Sequence, residues 1–254
     1  MEVFECWGYN FLKLPAFEFY ESQREALGEK VREAITFRDP STGELLSLRT
    51  DFTVQVVKSV SFLRIRHFPL RIYYFGTLYR VGQSYESFQA GVELIGVREI
   101  EGDAEVVTAI HDYLRSLGLR DLMVSIGHVG IVRKILSDLE EEERDRVERA
   151  FREKNVSLLR EVFGQSVVSE LPLAQGGREV LTLLDELNLR REKEELETLG
   201  GLLETAGVRF SYDLSEVREF PYYTGVVFEF FCPEAGHPVA GGGRYDRLSE
   251  VYGE

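Results

Sequence analysis

The N-terminal part of the chain is divided into short apolar runs by turn residues. Residues 8–15 predict a short strand that ends at Pro15. Segments 36–39 and 45–49 flank the sequence Pro-Ser-Thr-Gly, which is typical of a hairpin turn. Apolar residues at positions 54, 56, 57, 60 and 63 follow helical spacing. This part of the chain is therefore expected to combine a hairpin with a helix over residues 53–63.

Two aromatic and β-branched segments follow that helix. Residues 70–80 and 87–96 each predict a strand, and the two are antiparallel if the short segment between them is a loop. Asp103 is placed to cap a helix that runs to about residue 117. Residues 122–126 predict a further strand.

The composition changes between about residues 129 and 187. Charges at 140–146 follow a helical pattern, which is typical of a solvated helix face, and no strong strand pattern occurs in this segment. A helix over 190–206 that Gly207 caps, and strands over 208–214 and 226–231, complete the chain. We therefore predict an α+β fold with an antiparallel sheet flanked by helices. Residues 1–128 and 188–254 would form its core, and residues 129–187 a helical insertion subdomain.

Composition narrows the classes of function. The 254 residues carry a net charge of −14, which argues against a tRNA-binding protein because nucleic-acid affinity depends largely on phosphate neutralisation. A local basic groove stays possible. No apolar stretch reaches the ~18 residues of a membrane span, and the first residues lack a signal-peptide pattern, so we expect a cytoplasmic protein. Two distant cysteines and four scattered histidines predict neither a disulfide scaffold nor a metal site.

The strongest candidate for chemistry lies near the C-terminal end. Tyr222 and Tyr223 precede a Thr-Gly turn and a β-branched strand, and three glycines follow at 241–243. In a strand, adjacent rings face opposite sides, so one ring packs in the core while the other lines a pocket. Two packing aromatics are the simpler interpretation of the pair alone. Together with the glycine run, which lets backbone approach closely, the pair favours a pocket for a small flat ligand.

Polar residues at three other places fit such a pocket. Asp51 and Thr53 lie where a strand joins a helix, so they either cap the helix or face a ligand, in which case Asp51 would hold an ammonium group. Gln89 and Glu93 share one strand face, which is either exposed to solvent or suited to an amine or an imidazole. Arg80 offers a fork of donors to a carboxylate or a phosphate.

These segments resemble the histidyl-tRNA synthetase family, which has the class II synthetase fold. Residues 8–15 resemble class II motif 1, residues 73–96 resemble motif 2, and residues 217–229 and 240–248 resemble the two histidine-specific motifs. Each motif alone is weak, but the set is specific and covers nearly the whole chain. Motif 1 helps to form the dimer interface in this family, so the resemblance implies self-association as a dimer.

The resemblance also implies a pocket that binds L-histidine. Its residues here would be Asp51, Thr53, Arg80, Gln89, Glu93, Arg218, Tyr222 and Tyr223. Asp51, Gln89 and Glu93 match positions that hold the histidine amine and ring, with Asp51 in place of a longer glutamate. Arg80 matches an arginine that contacts the amino-acid carboxylate and the ATP α-phosphate. Arg218 matches an arginine that helps activation in the synthetases.

Departures from the family pattern point away from aminoacylation. The family's Phe-Arg-x-Glu is replaced by Tyr-Arg-Val-Gly at 79–82, so the acidic residue expected to help hold ATP is absent. The loop that leads to Gln89 is short and lacks the basic, proline-containing part that meets ATP and tRNA. Glu-Phe-Pro at 219–221 replaces the usual Gly-Leu-Asp, and the chain ends before a motif 3 arginine or an anticodon-binding domain. A kept histidine pocket without these parts is the pattern of a non-synthetase branch, the ATP phosphoribosyltransferase regulatory subunits.

That branch implies a non-catalytic protein of histidine biosynthesis. It would assemble with the short catalytic form of ATP phosphoribosyltransferase as a hetero-octamer, support that enzyme's activity and take part in feedback inhibition by L-histidine. The resemblance implies no cofactor, no tRNA and no membrane partner. Two alternatives stay open: a histidyl-tRNA synthetase catalytic core or fragment, and a histidine-binding module without an enzyme partner.

Overall fold

The chain forms two compact units. The computed structural model describes residues 1–82, 84–218 and 220–253. The first unit comprises Met1–Arg98, Glu219–Tyr222 and Tyr245–Glu254, and the second comprises Glu99–Arg218 and Tyr223–Arg244. Each unit is therefore built from segments that are distant in sequence.

The first unit contains three helices, six strands and two short 3₁₀ segments among its described residues. The helices are α1 (Glu2–Cys6), α2 (Tyr20–Leu27) and α3 (Phe52–Phe62), and the 3₁₀ segments are Gly28–Glu33 and Leu248–Tyr252. The strands are β1 (Asn10–Phe11), β2 (Phe17–Phe19), β3 (Thr36–Arg38), β4 (Leu45–Leu48), β5 (Leu70–Tyr79) and β6 (Glu86–Ile95).

Two three-stranded sheets organise the first unit. One has the order β1-β5-β6, in which β5 and β6 are antiparallel and Tyr74 lies opposite Gly91. The other has the order β2-β4-β3 and contains the predicted hairpin. Helix α3 buries Phe52, Val56 and Val60 against residues of β5, because these side chains recur on one helix face. The predicted helix over 53–63 and the predicted antiparallel strand pair are confirmed.

The second unit contains the remaining helices and strands. Its helices are α4 (Ile100–Ser116), α5 (Val129–Ser137), α6 (Glu141–Arg152), α7 (Val156–Phe163), α8 (Val167–Glu170), α9 (Leu183–Glu186) and α10 (Arg190–Thr205). Its strands are β7 (Met123–His128), β8 (Gln175–Gly176), β9 (Phe210–Asp213), β10 (Val226–Phe231) and β11 (Ala240–Gly243), with 3₁₀ segments at Leu171–Leu173 and Arg178–Thr182.

A five-stranded sheet of order β11-β10-β7-β9-β8 runs through the second unit. Strand β7 pairs antiparallel with β10 and parallel with β9, so the sheet is mixed rather than purely antiparallel. Helices α4 and α10 contribute buried side chains such as Val107 and Leu199 to the core that also contains Ile126 of β7. Residues 129–187 are mostly helical, but they include β8, which the sequence pattern did not indicate. Their status as an inserted subdomain stays a prediction.

The predicted role of Asp103 as a helix cap is wrong. Helix α4 begins at Ile100, three residues before Asp103, and Glu99 occupies the N-cap position. Asp103 lies in the first turn and is buried, and its carboxylate is paired with the guanidinium of Arg244. The carboxylate of Asp103, which the local pattern assigned to the helix end, is therefore paired with Arg244, a residue distant in sequence.

The glycine run forms β11, a strand that the sequence analysis did not predict. Gly242 lies opposite Phe228 in the antiparallel register with β10. A Cβ atom on Gly242 would lie 2.9 Å from Cζ of Phe228, and one on Gly243 would lie 2.6 Å from the carbonyl oxygen of Val226. The close backbone approach expected from these glycines is thus explained within the second unit by the neighbouring strand.

We expect Gly243→Ala to destabilise the second unit by about 1–3 kcal/mol, because the new methyl group overlaps the backbone of β10. Gly201→Ala is the matched control, since a Cβ atom at this exposed helical position meets nothing within 4 Å. This second change should stabilise the protein by up to about 1 kcal/mol. Denaturant unfolding measures both effects. Equal stability of the two variants would contradict the assignment of the glycine run to strand packing.

Candidate functional site

Glu93 is the centre of a buried polar cluster in the first unit. It lies on β6 and is only 4% exposed. Its Oε1 accepts hydrogen bonds from Thr53 Oγ1 at 2.7 Å and from Tyr74 Oη at 3.0 Å. Its Oε2 accepts one from Tyr245 Oη. Three hydroxyl groups from α3, β5 and the C-terminal segment therefore converge on one carboxylate.

Burial dominates the electrostatics of this cluster. It raises the pKa of Glu93 from 4.5 to about 7, and the three hydroxyl donors only partly oppose the effect. The negative charge of Asp51 adds to the rise. A carboxylate in this state gains from a cationic partner, because an opposite charge favours its ionised form.

Asp51 serves as a helix cap and also contributes the second buried carboxylate. Its Oδ1 accepts from the backbone N–H of Val54 at 2.9 Å, so the capping interpretation is confirmed. The hydroxyl of Tyr222 lies 3.4 Å from Oδ2. Burial raises the pKa of Asp51, while the Val54 N–H and the positive charge of Arg80 oppose that rise. The cap thus uses one oxygen and leaves the other facing a tyrosine.

Arg80 supplies a positive group within the same unit. Its Nε donates to the carbonyl oxygen of Thr50 at 2.9 Å, and its guanidinium lies 5.7 Å from the ring centroid of Phe220. Phe220 in turn stacks on Tyr222, with centroids 5.2 Å apart. Within the described part of the chain, the two terminal nitrogens of Arg80 have no hydrogen-bond partner. They are therefore available to an anionic group.

Gln89 lies on the same strand as Glu93 and is exposed. It is opposite Gly76 of β5, and its side chain faces the same side of the sheet as Glu93, because the two positions differ by an even number of residues. Its amide makes no hydrogen bond to any described residue. The alternation inferred from sequence is confirmed, whereas the exposed interpretation of Glu93 is wrong.

The remaining predicted site residues fall in different places. Tyr222 belongs to the first unit and lies in a turn, so the argument from opposite strand faces does not apply to the tyrosine pair. Tyr223 and Arg218 belong to the second unit. Arg218 donates to Glu229 at 2.6 Å and to the carbonyl oxygen of Phe228 at 2.8 Å. The role of all eight residues as histidine ligands stays a prediction.

The sequence analysis missed two members of the cluster, Tyr74 and Tyr245. Tyr74 lies within an aromatic strand, where a core role was the natural interpretation. Its position opposite Gly91 indicates its role, because a Cβ atom on Gly91 would lie 2.5 Å from the hydroxyl oxygen of Tyr74. Tyr245 lies two residues after the glycine run, and the spacing of the sequence there carries no signal for a hydroxyl donor to Glu93.

Several other kinds of site find no support in the described residues. They contain no group of three or more His, Cys, Asp or Glu side chains that could hold a metal ion. Both cysteines are free thiols, with Cys6 exposed and Cys232 buried. None of the helices in the described ranges is long and apolar enough to cross a membrane. The cluster in the first unit instead combines two carboxylates with a guanidinium, an arrangement that suits a small ligand with both an ammonium and a carboxylate group.

Comparison with known proteins places the chain in a family. The sequence profile of the histidyl-tRNA synthetases matches residues 1–254. The chain belongs to the histidyl-tRNA synthetase family. Within this family, an ATP phosphoribosyltransferase regulatory subunit from Aquifex aeolicus (strain VF5) is 46% identical over 255 residues, which cover 100% of this chain and 65% of that protein. One from Caldanaerobacter subterraneus subsp. tengcongensis is 34% identical, covering 100% of this chain and 71% of the relative. The expected resemblance to these regulatory subunits is confirmed.

Solved structures of the histidyl-tRNA synthetase family confirm the fold class. A protein from Bacillus halodurans described as an ATP phosphoribosyltransferase regulatory subunit/histidyl-tRNA synthetase superposes with a TM-score of 0.90 at 32% identity, covering 99% of this chain and 71% of that one. The apo histidyl-tRNA synthetase of S. aureus gives a TM-score of 0.66 at 26% identity, covering 98% and 61%. The chain has the class II synthetase-like fold. It spans just under two thirds of the length of the first curated relatives that it matches, 65% and 63%.

Proposed function

We propose that this chain is a regulatory subunit of ATP phosphoribosyltransferase that binds L-histidine at the Glu93 cluster. The observation that carries the proposal is the pair of buried carboxylates, Asp51 and Glu93, in the same unit as the guanidinium of Arg80. The two terminal nitrogens of that guanidinium have no hydrogen-bond partner among the described residues. The identity with regulatory subunits, up to 46% over the whole chain, supports the same assignment.

L-Histidine matches the chemistry of this cluster. Its ammonium or imidazole group would meet Glu93 and Asp51, and its carboxylate would meet the terminal nitrogens of Arg80 in the fork geometry that guanidinium groups favour. Gln89, whose amide is not engaged by described residues, would supply a donor or an acceptor to the imidazole. A ligand without a positive charge would leave Glu93 poorly compensated in its buried position.

The proposed subunit does not aminoacylate tRNA. Arg80 is followed by Val81 and Gly82, so the motif lacks the acidic residue that the family pattern places there to help hold ATP. Arg218, which matches an activating arginine of the synthetases, is already engaged by Glu229 and by the Phe228 carbonyl oxygen. An ATP α-phosphate would have to compete with these contacts. Both features support a binding role rather than a catalytic one.

The proposed partner is the short catalytic form of ATP phosphoribosyltransferase, in the cytoplasm. A complex of this enzyme from Thermotoga maritima contains a chain that shares the fold, with a TM-score of 0.76 at 22% identity. We propose a hetero-octamer that includes dimers of this chain. Histidine would regulate the assembly only if it binds two states of the complex with different affinity, and a coupling of about 1–3 kcal/mol is enough.

Two measurements separate the proposal from the synthetase alternative. Histidine-dependent exchange of pyrophosphate into ATP should be undetectable with this chain. Light scattering after gel filtration should detect a complex with the short catalytic subunit, with a mass that fits eight chains. Robust pyrophosphate exchange would favour a synthetase core, whereas histidine binding without any complex would favour a binding module without an enzyme partner.

A further inference from the structure

A row of three buried side chains, Arg49, Phe52 and Tyr74, leads to Glu93 in the first unit. It begins at Arg49, which precedes the capping Asp51 by two residues. The Arg49 residue is 6% exposed. Its Nη1 donates to the carbonyl oxygens of Leu14 and Pro15 at 3.2 and 3.1 Å, and its Nε and Nη2 donate to that of Thr77 at 3.1 and 2.8 Å. The guanidinium is therefore fixed by backbone from two segments, and no carboxylate of the described residues pairs with it.

The guanidinium of Arg49 continues into two stacked rings. Its Cζ lies 4.0 Å from the ring centroid of Phe52. Phe52 stacks on Tyr74 with centroids 4.3 Å apart and an interplanar angle of 12°. Both rings are buried, at 2% and 3% exposure. A desolvated cation over an aromatic face is attractive, and the parallel rings give the row a fixed geometry.

Two glycines provide the space that this row occupies. A Cβ atom on Gly76 would lie 2.9 Å from Nη2 of Arg49 and 3.2 Å from Cζ of Phe52. A Cβ atom on Gly91 would lie 2.5 Å from the hydroxyl oxygen of Tyr74. Side chains are therefore absent from β5 and β6 at the two places where the row needs room.

The row ends at the carboxylate of Glu93, since the Tyr74 hydroxyl donates to Oε1 at 3.0 Å. We infer that Arg49, Phe52 and Tyr74 form a positioning stack that fixes one oxygen of Glu93 for ligand binding. The inference deepens the proposed function and rests on it for the identity of the ligand. Among the described residues, the side-chain hydrogen bonds to Glu93 come from Thr53, Tyr74 and Tyr245, so Arg49 and Phe52 would act on it through Tyr74.

This arrangement has a consequence that a purely structural role would not have. The Tyr74 hydroxyl favours the ionised form of Glu93. Loss of the hydroxyl, or of the stack that aims it, should therefore raise the pH at which Glu93 ionises. If Phe52 acts through Tyr74, its replacement should have no further effect on that pH once the hydroxyl has been removed.

The test compares Arg49→Lys, Phe52→Leu, Tyr74→Phe and the Phe52→Leu/Tyr74→Phe double variant. Carbon-13 NMR of labelled glutamate carboxyl groups follows the ionisation of Glu93, with Glu93→Gln to assign the resonance. Calorimetry measures the Kd for L-histidine. Tyr74→Phe deletes a single oxygen atom, so it retains the packing of the core. Phe62→Leu, at the exposed far end of the same helix, and the exposed Arg66→Lys are the matched controls.

We expect each single variant of the stack to raise the ionisation midpoint of Glu93 and to weaken histidine binding about fivefold, since a hydrogen bond to a carboxylate is lost or misaligned. The double variant should match Tyr74→Phe, and both controls should match the wild type. A Phe52→Leu midpoint equal to that of the wild type, or additive effects in the double variant, would overturn the inference. If the wild type does not bind histidine, the proposed function fails, and the NMR midpoints still decide whether the stack positions Glu93.

Discussion

Glu93→Gln is expected to weaken L-histidine binding by about a hundredfold, which corresponds to roughly 3 kcal/mol. The carboxylate is buried and already fixed by three hydroxyl donors, so it meets a cationic ligand without further ordering. Glutamine retains the size of the side chain but removes the charge. It also brings an amide donor close to three hydroxyl groups that now donate. Calorimetric titration with L-histidine at pH 8, where Glu93 is ionised, measures the loss.

Glu86→Gln is the matched control for this experiment. Glu86 lies on the same strand as Glu93 but is exposed, and the same chemical change there should leave the affinity for histidine unchanged. Circular dichroism on both variants checks that the sheet is intact. An affinity of Glu93→Gln within a factor of three of the wild type would remove Glu93 from the ligand site.

The stability of the wild-type protein should fall as the pH rises from about 4.5 to above 7, relative to that of Glu93→Gln. Burial raises the pKa of Glu93 from 4.5 to about 7 in the folded state, so the folded protein holds a proton that the unfolded chain has already lost. This contribution is fully present below pH 4.5 and is lost as the pH passes 7. A rise of this size corresponds to roughly 3 kcal/mol of unfolding free energy.

The difference between the two proteins isolates Glu93 from other titrating groups. The lowered pKa of His111 and the pKa of about 2 for Glu195 affect both proteins alike. The raised pKa of Asp51 acts in the same direction as that of Glu93, but it comes from the burial of Asp51 itself and is therefore present in both proteins. Urea unfolding at pH 4.5, 6 and 8 measures the difference. Parallel stability curves for the two proteins would contradict the burial of Glu93.

The elements that were predicted correctly depend on local patterns. The hairpin around residues 40–43, helix α3 and the antiparallel strands β5 and β6 each carry a periodicity or a turn signal within a few residues. Strand β11 carries no such signal, because glycines are depleted in strands, and only the space next to β10 accounts for them. Asp103 was misassigned for the same kind of reason, since Arg244 lies far away in sequence.

The candidate site was predictable where a side chain occupies a position that matches a recognisable motif of the family. Asp51, Thr53 and Glu93 were identified in this way, and Thr53 and Glu93 prove to be hydrogen-bonded to each other. Tyr74 was not identified because its role depends on burial and strand register, and Tyr245 because it meets a carboxylate that is distant in sequence. The burial of Glu93, and with it the raised pKa, likewise follows only from the three-dimensional structure.

The most direct test of the central claim is the phosphoribosyltransferase activity of the short catalytic subunit from the same organism, measured with and without this chain. We expect a large rise in activity on mixing, and L-histidine should reverse it. Glu93→Gln should still raise the activity but should require about a hundredfold more histidine for inhibition. No rise with a folded wild-type chain, together with no complex in gel filtration, would contradict the regulatory role.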